Sequence, residues 1–303
     1  MNPVGLYFAS GESLYIGAAL LLLAVIMSIY LKRRRLPLRN LLTFSAFALI
    51  VMACPPFSWG IDAVFLTTFA MWLFTSNLAS RRQAQVTLRV ASTVVLLMML
   101  LLFPAIELSH RAMPVIAGEA SDHLVVIGDS ISSGVDPHVD PWPLVLQQIT
   151  GIPVKNLARP GAGTAEAQAM AKSIIPHDHL LLIEIGGNDL LAGVKSSEFE
   201  GALDTLLARV VTPGRTVLMF ELPLLPHKIA YGQIQRRLAA KYGIYLIPKR
   251  FFTGVIGSAD ATSDGLHLSK AGSRRMAILV AGILSPVLKS PDVTNSPSLL
   301  PNH

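Results

Sequence analysis

Four short clusters in this sequence combine residues able to break a bond with residues able to hold charge. The first is Gly128-Asp129-Ser130, at the end of an apolar run in "LVVIGDSISSG". The second is "NLARPGAGT", which holds Asn156 and Gly161, and the third is "GGND", Gly186 to Asp189. The fourth is "DGLHLS", where Asp264 stands one turn before His267. A serine hydroxyl is a weak nucleophile at neutral pH, so chemistry at Ser130 needs a base. An imidazole at His267 has the right range, and a carboxylate at Asp264 is placed to hold the tautomer whose Nε2 takes a proton. Taken alone, Gly-Asp-Ser after a strand is equally ordinary turn chemistry.

The elements that must position these clusters decide between the two. From His123 the pattern repeats strand, turn, helix. "HLVVI", "IPVKNLA", "HLLLIEI", "RTVLMFEL" and "IYLI" read as five strands. "PWPLVLQQIT", "TAEAQAMAKSII", "SSEFEGALDTLLARVV", "HKIAYGQIQRRLAAKYG" and "SKAGSRRMAILVAGIL" carry helical spacing. Alternation of this kind, with nearly continuous apolar strands, predicts an α/β fold with a five-stranded parallel sheet covered on both faces. Such sheets bind ligands at the carboxyl ends of their strands. All four clusters fall on that rim.

Together, in this order and each at a strand end, the clusters resemble the SGNH hydrolases, the GDSL-type esterase/lipase family, over about residues 121–285. The resemblance implies a three-layer α/β/α, flavodoxin-like domain. It implies a triad of Ser130 as nucleophile, His267 as general base and Asp264 as orienter. It also implies an oxyanion hole made by the Ser130 and Gly161 backbone N–H groups and the Asn188 side-chain amide. Gly161 is chosen over Gly163 because its spacing from Asn156 fits the family's block; a glycine there leaves room for close approach of ligand to backbone. No metal and no organic cofactor is implied. Asp129 and Asp189 read as local hydrogen-bonding residues. "HDH" at His177 and His179 reads as a solvated loop, since no third ligand cluster accompanies it. His138 and His227 read as surface or pocket-rim residues. No phosphate-binding loop or dinucleotide fingerprint is present.

The chain has 303 residues, with 52% hydrophobic and only 15% charged residues and a mean hydropathy of +0.53. The excess lies before residue 107, in apolar segments at 14–31, 38–54, 61–79 and 90–106. Each approaches the ~20 residues needed to cross a bilayer core, the second being the shortest, with Arg39 and Asn40 at its start. Their interiors are read as free of ionisable residues, Asp62 and Glu107 lying at edges, which suits an anchor better than a channel for polar chemistry. Lys32, Arg33, Arg34, Arg35 and Arg39 lie between the first two segments, and Arg81, Arg82 and Arg89 between the last two. The positive-inside rule then puts both basic loops in the cytoplasm, and the chain beyond residue 106 on the periplasmic or extracytoplasmic side of the inner membrane. Basic residues that follow the first apolar stretch do not fit a cleaved signal peptide. Residues 1–106 carry the whole net charge of +6 and the remainder balances to zero, so the basicity is topological and predicts no nucleic-acid partner. The single cysteine, Cys54, excludes a disulfide framework within the chain.

The expected organisation is a four-helix membrane anchor over 1–106, a linker over 107–120, the hydrolase domain over 121–288 and a disordered tail over 289–303. The expected function is a membrane-anchored serine ester hydrolase. Its substrate would be an acyl ester, either a lipid acyl group or an acetylated glycan, met beside membrane lipid. Leu224, Leu225 and Phe252 are candidates for an acyl pocket and equally for core. One alternative is an O-acyltransferase of cell-envelope glycans using the same site. A second is a non-catalytic receptor on a hydrolase fold. The sequence carries no signature of oligomeric state.

Overall fold

The computed structural model describes residues 3–30, 36–53, 55–77, 83–118, 120–224 and 228–288. The chain forms two compact units. One comprises Asn2–Ala112 with Pro223–Ile234; the other comprises Met113–Leu222 with the chain from Gln235 onward.

The first unit holds α1 (Pro3–Ala9), α2 (Ser13–Tyr30), α3 (Leu36–Met52), α4 (Trp59–Asn77) and α5 (Gln83–Ser109). Leu14, Leu21, Val25, Ile50, Phe65, Phe69, Trp72, Leu96 and Phe103 form its core. Phe47 stacks on Phe69 at 4.7 Å, and Phe65 meets Phe103 at 4.9 Å between ring centres. Large apolar side chains also point outward, among them Ile16, Leu41, Phe74, Met98 and Leu101. A helix apolar on every side is built for a lipid surround or a protein interior. From the strand side of the sequence, Gln233 donates to the Phe57 carbonyl within this unit.

Among the described residues three helices are long and apolar enough to cross a membrane: α2, α4 and α5. The fourth expected span, α3, has 17 residues. Arg39 and Asn40 occupy its first turns and leave residues 41–52 as its apolar length, about 18 Å at the rise of an α-helix. Arg39 is buried, and its guanidinium donates to the Ser76 carbonyl at 3.3 Å, to Asn40 Oδ1 at 2.7 Å and to Asn77 Oδ1. Glu107 is buried too, because α5 continues a turn beyond the hydropathic edge. The helical unit therefore encloses charge that the hydropathy pattern places outside. Lys32, Arg33, Arg34, Arg35, Cys54, Arg81, Arg82, Leu225, His227 and the tail 289–303 lie outside the described residues.

The second unit is built on β1 (Leu124–Gly128), β2 (Val154–Asn156), β3 (Leu180–Glu184), β4 (Thr216–Phe220) and β5 (Tyr245–Ile247). They form one parallel sheet in the order β2-β1-β3-β4-β5. Every residue of β1 and β3 is buried, whereas β2 and β5 are short edge strands. Burying each Val, Leu or Ile of the two central strands contributes about 1.5–3 kcal/mol. Between the strands run α6 (Ser130–Ser133), α7 (Trp142–Thr150), α8 (Thr164–Met170), α9 (Gly187–Ala192), α10 (Ser196–Val210) and α11 (Ile229–Tyr242), and after β5 come α12 (Lys249–Ile256) and α13 (Lys270–Leu284). Right-handed crossovers put α7 and α13 on one face, where they pack together, and α8 and α10 on the other. The stretch 113–118, expected as linker, is tied down: the Ala117 N–H donates to Tyr245 Oη at 2.9 Å, and that hydroxyl donates back to the Ala117 carbonyl at 3.0 Å.

Leaving β1 the chain turns toward β2, and after β2 it crosses back to β3. The reversal opens the sheet between the carboxyl ends of β1 and β3, the usual place for a ligand in such folds. Ser130 follows β1 and Asn188 follows β3.

Candidate active site

β1 ends on Gly128, which pairs in register with Glu184, the last residue of β3. A Cβ on Gly128 would stand 2.6 Å from the Ser132 side chain, so only glycine lets α6 fold back over the strand end. Asp129 caps that helix, its Oδ1 accepting the Ile131 N–H at 2.9 Å. Ser130 is thereby presented at the first position of α6, half-buried, on the carboxyl rim.

Asp264 and His267 sit on the loop before α13. Asp264 Oδ1 accepts the N–H groups of Leu266 at 2.9 Å and His267 at 2.8 Å, and Oδ2 lies 2.6 Å from His267 Nδ1. The His267 hydrogen bond first, then these two backbone N–H groups, hold the Asp264 carboxyl well below the usual carboxylate range. A neutral imidazole that donates from Nδ1 keeps its lone pair on Nε2. The loop is pinned by the Ser263 N–H to His267 carbonyl bond at 3.0 Å and by bridge pairing of Thr262 with Leu268. Ser130 and His267 line one cleft of about 240 Å³, with Ile131, Val135, Val139 and Leu268 among its walls. Among the described residues no direct hydrogen bond joins the two side chains; such bonds often tighten only when substrate binds.

Asn188, in the first turn of α9, reaches back across the opening. Its Nδ2 donates to Asp129 Oδ2 at 3.1 Å and to the Ala162 carbonyl at 3.0 Å. Gly161 adopts φ +74°, in the left-handed region that favours glycine, and a Cβ there would meet open space. The Gly163 N–H is already given to Glu166 Oε2 at 2.9 Å. Asp189 fastens this loop, its carboxylate accepting the Thr164 N–H at 2.9 Å and hydroxyl at 2.7 Å. Asp129 and Asp189 thus serve local hydrogen bonds. Phe252 packs on Phe220 at 5.6 Å as core, and Leu224 is buried in the helical unit. His138 is exposed beyond the rim, and His177 meets His179 edge-on at 6.4 Å in the loop before β3.

Sequence reasoning passed over Glu184, Ser132 and Trp142. Glu184 is buried beneath the Ser130 turn and accepts the Ser132 hydroxyl at 2.7 Å; Trp142 Nε1 donates to the same Ser132 Oγ at 3.1 Å. The available signal was a lone glutamate closing an otherwise apolar central strand, which burial makes costly unless it is paired.

A parallel sheet in this order, with these four clusters on its carboxyl rim, defines the unit as an SGNH-type α/β/α hydrolase domain, a carboxylic ester hydrolase. Residues 126–275 match the GDSL-like lipase/acylhydrolase family, and the chain carries a domain of that family. It is similar to Esterase TesA of Pseudomonas aeruginosa, 27% identical over 185 residues, covering 56% of this chain and 90% of that one. It is also similar to the thioesterase 1/protease 1/lysophospholipase L1 of Escherichia coli K12, 25% identical over 181 residues, covering 56% of this chain and 86% of the relative. The crystal structure of TesA matches with a TM-score of 0.48 at 28% identity, over 55% of this chain and 99% of that one.

Proposed function

We propose that the chain is a membrane-anchored serine ester hydrolase in which Ser130, His267 and Asp264 act as a triad. Ser130 Oγ attacks the acyl carbon while His267 Nε2 takes its proton. The tetrahedral intermediate collapses, the alcohol leaves with that proton, and water hydrolyses the acyl-enzyme by the same route in reverse. Asp264 keeps Nδ1 protonated and steadies the imidazolium. The Ser130 and Gly161 N–H groups and the Asn188 amide serve the oxyanion. Gly161 is favoured over Gly163 because its N–H has no acceptor among the described residues, whereas that of Gly163 is committed to Glu166. Asn188 must loosen one of its two present bonds to take part. The observation that carries this reading is the Asp264–His267 pair facing Ser130 across one cleft at the chain reversal.

The apolar walls, Ile131, Val135, Val139 and Leu268 among them, suit an acyl group. The helical unit serves as the anchor, with residues 107–120 leading into the domain at 121–288. The basic residues flanking the first two and the last two segments favour a cytoplasmic position for those loops and an extracytoplasmic one for the hydrolase.

The test is covalent labelling of the full chain in detergent by a fluorophosphonate, alongside Ser130→Ala. Labelling lost in that variant is expected, and labelling that persists assigns the nucleophile elsewhere. With p-nitrophenyl esters, hydrolysis that is lost in Ser130→Ala is expected; hydrolysis that persists in the variant would place the esterase activity elsewhere.

A further inference from the structure

The buried carboxyl of Glu184 has no part in the triad, yet it lies under every element that frames Ser130. On one side its Oε2 takes the Ser132 hydroxyl, and the Ser132 carbonyl accepts Asn156 Nδ2 at 2.8 Å, so the far end of α6 is anchored to Glu184 and to the end of β2. On the other side lies Asp129, which follows Gly128, the residue paired in register with Glu184, and the charge of each carboxyl bears on the other. Asp129 in turn holds Asn188 Nδ2 and caps α6. Resting on the triad read above, we propose that Glu184 is a positioning residue: through Ser132 it fixes the Ser130 turn, and through Asp129 it sets the Asn188 amide beside the reacting carbonyl.

Two neighbouring carboxyls in a buried site disfavour each other's ionisation. Burial pushes Asp129 up to about 6, opposed by the Ile131 N–H and by the charge of His267, while Asp189 adds to the rise. Burial, and then the charge of Asp129, pushes Glu184 well above the usual carboxylate range. Of the two, Glu184 holds its proton to the higher pH, while Asp129 accepts the Ile131 N–H and Asn188 Nδ2. Removing the Glu184 proton at alkaline pH sets two negative charges against each other and loosens the turn that they frame.

The test uses the full chain in detergent, with Glu184→Leu and Glu184→Gln. Glu184→Leu is expected to lower kcat on a p-nitrophenyl ester about tenfold to a hundredfold with little change in KM, less than the ~10²–10³ for deleting an oxyanion donor outright. Glu184→Gln, which keeps a donor toward Asp129 and an acceptor for Ser132, is expected to restore most of kcat. It should also lack the alkaline fall expected of the wild type, because its amide cannot ionise. Infrared spectra at neutral pH should show a protonated carboxyl in the wild type that Glu184→Gln lacks. No such band in the wild type, or the same alkaline fall in Glu184→Gln, would overturn the role. Parallel fluorophosphonate labelling separates the two readings. Wild type that fails to label defeats the triad, whereas Glu184→Gln that labels but keeps the wild-type pH profile defeats the positioning role.

Discussion

In the proposed triad the orienting carboxylate, Asp264, is exposed where such a group is more often buried. Three donors converge on it, the His267 ring and two backbone N–H groups. Its folded pKa is depressed, so it stays ionised through mildly acid conditions. The same sign makes its contribution to loop stability present above the ordinary carboxylate value of about 4 and lost only as pH falls far below it. Asp264→Asn is expected to lower kcat about 10³-fold, somewhat less than the ~10⁴ of a buried orienting aspartate, since water partly substitutes at an exposed site. A fall of less than about tenfold would hand the orienting task to another group. The residues of this pair were legible from one helical turn of spacing. The role of Asp129 was legible only as local bonding, because the partner that gives it meaning, Glu184, lies on another strand, and register rather than sequence distance brings them together.

At the scale of elements, the five strands were read from apolar runs, with edges trimmed where β2 and β5 lose their second neighbour. The helices missed in the hydrolase half were α6, α9 and α12, of four, six and eight residues. None gives a 3.6-residue period enough turns to declare itself, and α6 exists because of Asp129 and Gly128 rather than any helical propensity. At the opposite, amino-terminal rim of the sheet, His123 bridges Asp122 at 2.7 Å and Asp178 at 2.9 Å, and Lys155 adds a bond to Asp178 at 3.1 Å. Burial alone lowers the His123 imidazole, but hydrogen bonds and charge from the two carboxylates together raise it above an ordinary histidine. A raised value stabilises the fold fully below the unfolded pKa of about 6.5 and ceases to do so as pH climbs through the folded one. The wild-type advantage in Tm over His123→Gln should therefore shrink as pH rises above about 6.5. Its size should be of the order of 2 °C, as the imidazole is partly solvated. An advantage that stays level with pH would show that His123 contributes packing and not charge. Catalysis at the far rim should be indifferent to the change.

For the whole molecule, composition announced two halves, one for lipid and one for water, and outward-facing Leu41, Phe74 and Leu101 agree with the first. Hydropathy could not foresee that Pro223–Ile234, drawn from the hydrolase half of the sequence, would cluster with the helices, because that grouping arises from packing between distant segments. Orientation is tested by Ala112→Cys in a Cys54→Ser background. An impermeant maleimide is expected to label it in right-side-out vesicles and to miss it in inside-out ones; the opposite result would put the hydrolase in the cytoplasm.

The proposed nucleophile and its base stand at opposite ends of the α/β unit's sequence, Ser130 just after the first strand and His267 just before the last helix. During synthesis the serine is made long before the histidine, at ~5–20 residues per second. Until the loop carrying Asp264 and His267 has been delivered and folded, Ser130 has no base. A growing chain beside its own membrane is therefore harmless to the esters around it, and hydrolytic competence arrives in a single late step.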